Sequence, residues 1–74
     1  MEEDQNLAQF VKDQRKKHKM SQEDLARMAG VGLRFVRDLE QGKKSIQLDK
    51  LNQVLSAFGH EMVPKRIKRL WENS

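Results

Sequence analysis

The chain of 74 residues predicts an all-α fold, a compact bundle of four to five helices. Apolar residues recur at three- and four-residue spacing from Leu7 to Phe58, the period of amphipathic helices. Gly30, Gly42 and Gly59 stand where that periodicity breaks, as helix stops do. A composition of 36% hydrophobic and 35% charged residues allows only an economical core, which short helices supply and a large sandwich does not.

Residues 1–5 form an acidic tail with Glu2, Glu3 and Asp4. The first helix follows at residues 6–18, with Leu7, Phe10, Val11 and Gln14 on one face and Lys12, Asp13, Lys16 and Lys17 elsewhere around the wheel. Arg15, Lys16, Lys17 and Lys19 read as a solvated, basic helix end, some of them flanking an anionic partner. The second helix opens at MSQEDLARMAG. Ser21 as N-cap and Asp24 three residues on make a capping box, and Met20 before the cap closes on Leu25 as a hydrophobic staple. Leu25, Ala26 and Ala29 are its inner face, and Gly30 ends it in a left-handed conformation.

A third helix runs within GVGLRFVRDLEQG, Gly30 to Gly42, with Val31, Phe35, Val36 and Leu39 inward. The fourth, Leu48 to Phe58, puts Leu48, Leu51, Val54, Leu55 and Phe58 on one side; Ser45 suits its N-cap chemically and Gln47 geometrically. Residues 60–63, HEMV, read as a short strand, and Pro64 forbids a regular helix through that point. The basic tail KRIKRLWENS carries Ile67, Leu70 and Trp71. The chain thus divides into the tail 1–5, one helical domain 6–59, and a strand with basic tail 60–74.

So short a turn between the second and third helices forces a steep crossing, a helix-turn-helix, with small Ala26 and Ala29 where backbones approach. If Val31, Phe35, Val36 and Leu39 point inward, Leu33, Arg34, Arg37, Asp38 and Gln41 point outward. Arginine is suited to bidentate contact with guanine, and leucine to a thymine methyl. Leu33 is equally well an ordinary exposed leucine. Asp38 either accepts from cytosine or pairs with Arg34, one turn earlier.

Charge agrees with a polyanionic partner: fifteen Lys and Arg against eleven Asp and Glu leave +4, clustered at Lys12–Lys19, Arg34/Arg37, Lys43-Lys44 and Lys65–Arg69. Cysteine is absent, which excludes disulfides and thiolate metal sites and fits a reducing cytoplasm. No apolar run approaches the ~18 residues of a membrane span. His18 and His60 stand apart from any ligand cluster, and no nucleophile–base pair or phosphate-cradling loop occurs. A cytoplasmic, non-enzymatic chain without cofactor, metal, membrane or small-molecule substrate is expected.

SQEDLARMAGVGLRFVRDLEQGK resembles the helix-turn-helix of the Cro/phage-repressor, XRE-type regulators. LRFVRDLEQGK and LDKLNQVL further resemble HipB-type antitoxins, the DNA-binding partners of HipA-like kinase toxins. The resemblance implies a lambda-repressor-like domain that binds double-stranded operator DNA as a homodimer. It implies DNA contacts at Gln22, at the recognition positions Gly32, Leu33, Arg34, Arg37 and Asp38, and at the loop Lys43, Lys44 and Ser45. Gln22 holds the position that either touches the DNA backbone or orients the recognition helix. Met62 and Val63, in the strand expected to pair across a dimer, and Ile67, Leu70 and Trp71 are the candidate dimer or partner contacts. Trp71 equally well folds back over the domain. Two residues depart from the pattern: Gly32 stands where Ser or Thr is usual, removing an N-cap, and Pro64 shortens the paired ribbon. The expected function is therefore an autoregulating repressor and antitoxin. The rival is a partner-neutralising interaction module in which the helix-turn-helix serves as scaffold.

Overall fold

The computed structural model of the chain describes residues 6–64. Four helices follow one another: α1 (Leu7–Lys17), α2 (Gln22–Ala29), α3 (Leu33–Glu40) and α4 (Leu48–Ser56). Among the described residues there is neither a fifth helix nor a strand.

Asn6 starts α1, its side-chain carbonyl accepting from the N–H groups of Ala8 at 2.8 Å and Gln9 at 3.3 Å. These are donors that the first turn cannot satisfy internally. Beyond Lys17 the chain reverses through Lys19, whose φ of 57° makes it the one left-handed non-glycine residue among those described. The Lys19 N–H donates to the Lys16 carbonyl and the Met20 N–H to that of Arg15, both at 3.0 Å, a Schellman closure. Met20 then packs against the core that holds Leu25, as the staple requires.

The capping box of α2 is formed in both directions. Ser21 Oγ accepts from the Asp24 N–H, and Asp24 Oδ2 accepts from the Ser21 N–H, each at 3.0 Å. These bonds hold the Asp24 carboxyl below the usual carboxylate range, with Arg27 adding to them. At the other end Gly30 sits at φ 75°, and the Val31 N–H folds back to the Ala26 carbonyl at 3.0 Å. A side chain at that left-handed position would strain the backbone, so the short turn to α3 depends on glycine.

Eight residues form the core: Val11 from α1, Leu25 and Ala26 from α2, Val36 and Leu39 from α3, and Leu51, Val54 and Leu55 from α4. Val11, Leu25, Val36 and Val54 are wholly inaccessible. Phe10, Val31, Phe35 and Phe58 are half-buried around this centre. Helix α3 lies against both α1 and α2, and α2 also packs on α4. The core therefore fixes one flank of α3 and leaves the other outside.

Two expectations are corrected in the C-terminal part. Helix α4 takes Gln47, the geometric candidate, as its N-cap with no side-chain cap bond, and it stops at Ser56, short of Phe58. Its end tightens through i→i+3 bonds from Ala57, Phe58 and Gly59, and the His60 N–H reaches the Leu55 carbonyl at 2.9 Å. Residues 60–63 are not a strand. The Met62 N–H is taken by Asn52 Oδ1 of α4 at 2.8 Å, and the His60 ring meets Phe10 edge-on at 4.9 Å between centroids. A side chain and a ring hold the segment down where a neighbouring strand would have been needed for a ladder. Nearby, the His18 ring lies 5.6 Å from that of Phe58. The acidic tail 1–5 and the candidates Ile67, Leu70 and Trp71 lie outside the described residues.

Candidate nucleic-acid interface

Helix α3 is short, and its sides differ sharply. Val36, Leu39 and Glu40 are buried, while Arg34 and Arg37 are exposed. One turn separates the two arginines, so their side chains rise from the same strip of helix. Among the described residues neither side chain makes an ion pair or a hydrogen bond. Both guanidiniums keep their donors for an outside acceptor, and planar bidentate recognition is their strongest chemistry.

The other candidates divide. Gly32 is the N-cap of α3, exposed, with extended backbone at φ −74° and no side-chain cap bond. The first-turn N–H groups of α3 therefore have no side-chain acceptor. Lys44 and Ser45 are exposed in the loop after α3. Lys43 starts that loop and is tied back to the helix: its N–H bonds the Asp38 carbonyl at 3.1 Å, and Nζ approaches Asp38 Oδ2 at 3.4 Å. Asp38 thus pairs with Lys43, not with Arg34, because the chain reversal at Gly42 brings the lysine over the last turn. Leu33 is not a free apolar tip. It is half-buried and packed against the core, since it begins α3 on the side facing its neighbours.

Gln22, first residue of α2, is half-buried, and its Nε2 donates to Glu40 Oε1 at 3.1 Å. Glu40 is the centre of a network that sequence reasoning missed. Arg15 donates through Nε to Oε2 at 2.7 Å and through Nη2 to Oε1 at 2.9 Å, a two-pronged pair. Its Nη1 donates to the Met20 carbonyl at 2.9 Å. The side chains are only 13% and 3% exposed, so Arg15 is no part of a solvated helix end. Burial pushes the Glu40 carboxyl up, but the bonds from Arg15 and Gln22, with the charges of Arg15 and Lys12, outweigh it. The carboxyl stays below its ordinary range, and Arg15 is raised in turn by Glu40. A signal was present: Arg15 lies four residues after Val11, and Glu40 four after Val36. Charges at inward helical positions mark a paired interior ion.

Two helices joined by a tight turn, the second held by its inner side and offering free arginines on its outer one, define a helix-turn-helix DNA-binding domain. Comparison with known proteins places it more closely. Residues 11–61 match the helix-turn-helix family HTH_3, and the chain belongs to this Cro/C1-type, XRE-like family of DNA-binding transcriptional regulators. It is also similar to the uncharacterized HTH-type transcriptional regulator y4mF of Sinorhizobium fredii, 44% identical over 54 residues that cover 73% of this chain and 71% of that protein.

Proposed function

We propose that the chain is a homodimeric, sequence-specific repressor that lays α3 of each subunit in a major groove of operator DNA. The observation that carries the reading is the pair Arg34 and Arg37, their side chains exposed and unpaired among the described residues, on a helix whose other side buries Val36, Leu39 and Glu40. In it Arg34, near the start of α3, reaches a base edge, and Arg37 reaches a base or the adjoining phosphate. Lys43, Lys44, Ser45 and the uncapped amides after Gly32 take phosphates, which position without reading sequence. Half-site centres lie ~34 Å or a multiple apart on a near-palindromic operator. Met62 and Val63, 47% and 62% exposed, supply the apolar face toward the second subunit.

The narrower reading is a cytoplasmic, HipB-like antitoxin that represses its own operon and binds a HipA-like kinase toxin. It is supported by the resemblance of LRFVRDLEQGK and LDKLNQVL to that group. The rival, a partner-neutralising module with the helix-turn-helix as scaffold, draws on the same exposed Met62 and Val63. Selection of duplexes from a random pool, repeated with Arg34→Ala and Arg37→Ala, tests the main reading. An enriched near-palindrome that both variants lose supports it; no enrichment by the unaltered chain refutes it. Capture of a HipA-like kinase by both variants, with no enriched duplex, favours the rival.

A further inference from the structure

Of the four cations on α3 and the loop after it, Arg34, Arg37, Lys43 and Lys44, only Lys43 has a carboxylate partner among the described residues. Its Nζ lies 3.4 Å from Asp38 Oδ2, an ion pair between the loop and the last turn of α3. The pair is built into the end of that helix. Gly42, left-handed at φ 83°, turns the chain back, and the Lys43 N–H donates to the Asp38 carbonyl at 3.1 Å. The lysine backbone is therefore fixed within one side chain's reach of the carboxylate, while its amine swings on a flexible stem. The side chains are 55% exposed at Lys43 and 27% at Asp38. A pair so open to water is weakly held, and a second anion brought within reach competes for the amine.

We propose that Asp38 is a specificity-determining residue that contacts no base: it competes with DNA phosphate for Lys43. The inference rests on the reading of α3 as the recognition helix. On an arbitrary sequence the protein is held by charge, without a fixed register, and Lys43 stays with Asp38. On the operator, Arg34 and Arg37 seat α3 in the groove. Seating brings the loop that follows α3 against one phosphate, at high local concentration. Lys43 then exchanges the carboxylate for that phosphate. Asp38 thus withholds one phosphate contact from non-specific complexes and takes little from the specific one. Specificity is a difference of two affinities, so a charge that weakens the wrong complex raises it.

The test is Asp38→Asn, which keeps the shape of the side chain and removes its charge, alone and combined with Lys43→Met. Affinity is measured by fluorescence anisotropy at several salt concentrations, on the duplex the unaltered chain selects from a random pool and on a scrambled duplex of equal length. Circular dichroism reports the fold. Asp38→Asn should bind scrambled duplex about 3- to 10-fold more tightly, with a salt slope steeper by about 0.9 per subunit bound and a lower operator-to-scrambled ratio. Adding Lys43→Met should cancel the gain. A gain that survives Lys43→Met is a general effect of charge and overturns the proposal. So does an operator loss confined to one base pair with scrambled affinity unchanged, which makes Asp38 a base contact, and so does no change on either duplex. Should Asp38→Asn unfold, Lys43→Met alone decides: a larger loss on the operator than on scrambled duplex supports the exchange, and equal losses overturn it. An unaltered chain that enriches no sequence refutes the DNA reading together with this inference; enrichment followed by any of the contrary outcomes overturns this inference alone.

Discussion

Replacing Lys19 by glycine should stabilise the domain, although it deletes a side chain. Lys19 occupies the left-handed region at φ 57°, where a β-carbon crowds the following carbonyl. It is held there by the Lys19-to-Lys16 and Met20-to-Arg15 bonds that close α1. Its side chain is exposed. Relief of the left-handed strain is worth roughly 1–2 kcal/mol. The larger freedom of glycine in the unfolded chain takes back about 0.4–1 kcal/mol. The net gain is about 0.5–1 kcal/mol, a rise of ~3–6 °C in Tm for a domain of this size. Thermal and urea melts followed by circular dichroism measure it, the urea midpoint rising at constant slope. Lys19→Ala is the control, since it removes the same amine but keeps the β-carbon; it should gain nothing and lose a cation near a helix C-terminus. A glycine variant no more stable than the original, or an alanine variant equally stabilised, would refute the account of this turn.

Three further outcomes follow from the same kind of accounting. Gly30→Ala should destabilise by about 1–2 kcal/mol, since the residue is left-handed at φ 75°. An added β-carbon meets Gln53 Nε2 at an ordinary 3.5 Å, so crowding adds little to the loss read from a urea melt. Gly32→Ser should raise stability by about 0.5 kcal/mol, because φ is −74°, nothing lies within 4 Å of a new β-carbon, and serine caps the α3 amides. The Glu40 carboxyl is held below its unfolded range, so its contribution is complete above the unfolded pKa and is lost as pH falls through the folded one. Glu40→Gln should therefore cost most near pH 7, and its deficit in urea melts should shrink steadily between about pH 5 and pH 2.

The helices were legible because their signals are local. Ser21 with Asp24, Gly30 at the turn, and the spacing of Val36 and Leu39 each act within a few residues, and each does in three dimensions what its chemistry requires. The exposed arginines followed by elimination once the inner side of α3 was known. Less legible was everything decided between elements. Arg15 and Glu40 are 25 positions apart, and a charge at an inward position names no partner by itself. Asp38, read as facing cytosine or Arg34, pairs instead with Lys43, which the reversal at Gly42 brings over the last turn. The strand-like composition of HEMV was overridden when Asn52, ten residues earlier, took the Met62 N–H. Leu33 looked outward on a helical wheel, yet the neighbouring helices half-cover it.

The central claim is that Arg34 reads a base, not merely a phosphate. The most direct measurement is the affinity of Arg34→Ala on the selected operator, on each single-base-pair variant of one half-site, and on scrambled duplex at fixed salt. The account predicts a loss of ~1–3 kcal/mol on the operator, little change on scrambled DNA, and preference abolished at one base pair in each half-site. Equal losses on every duplex, with all base preferences retained, would contradict it.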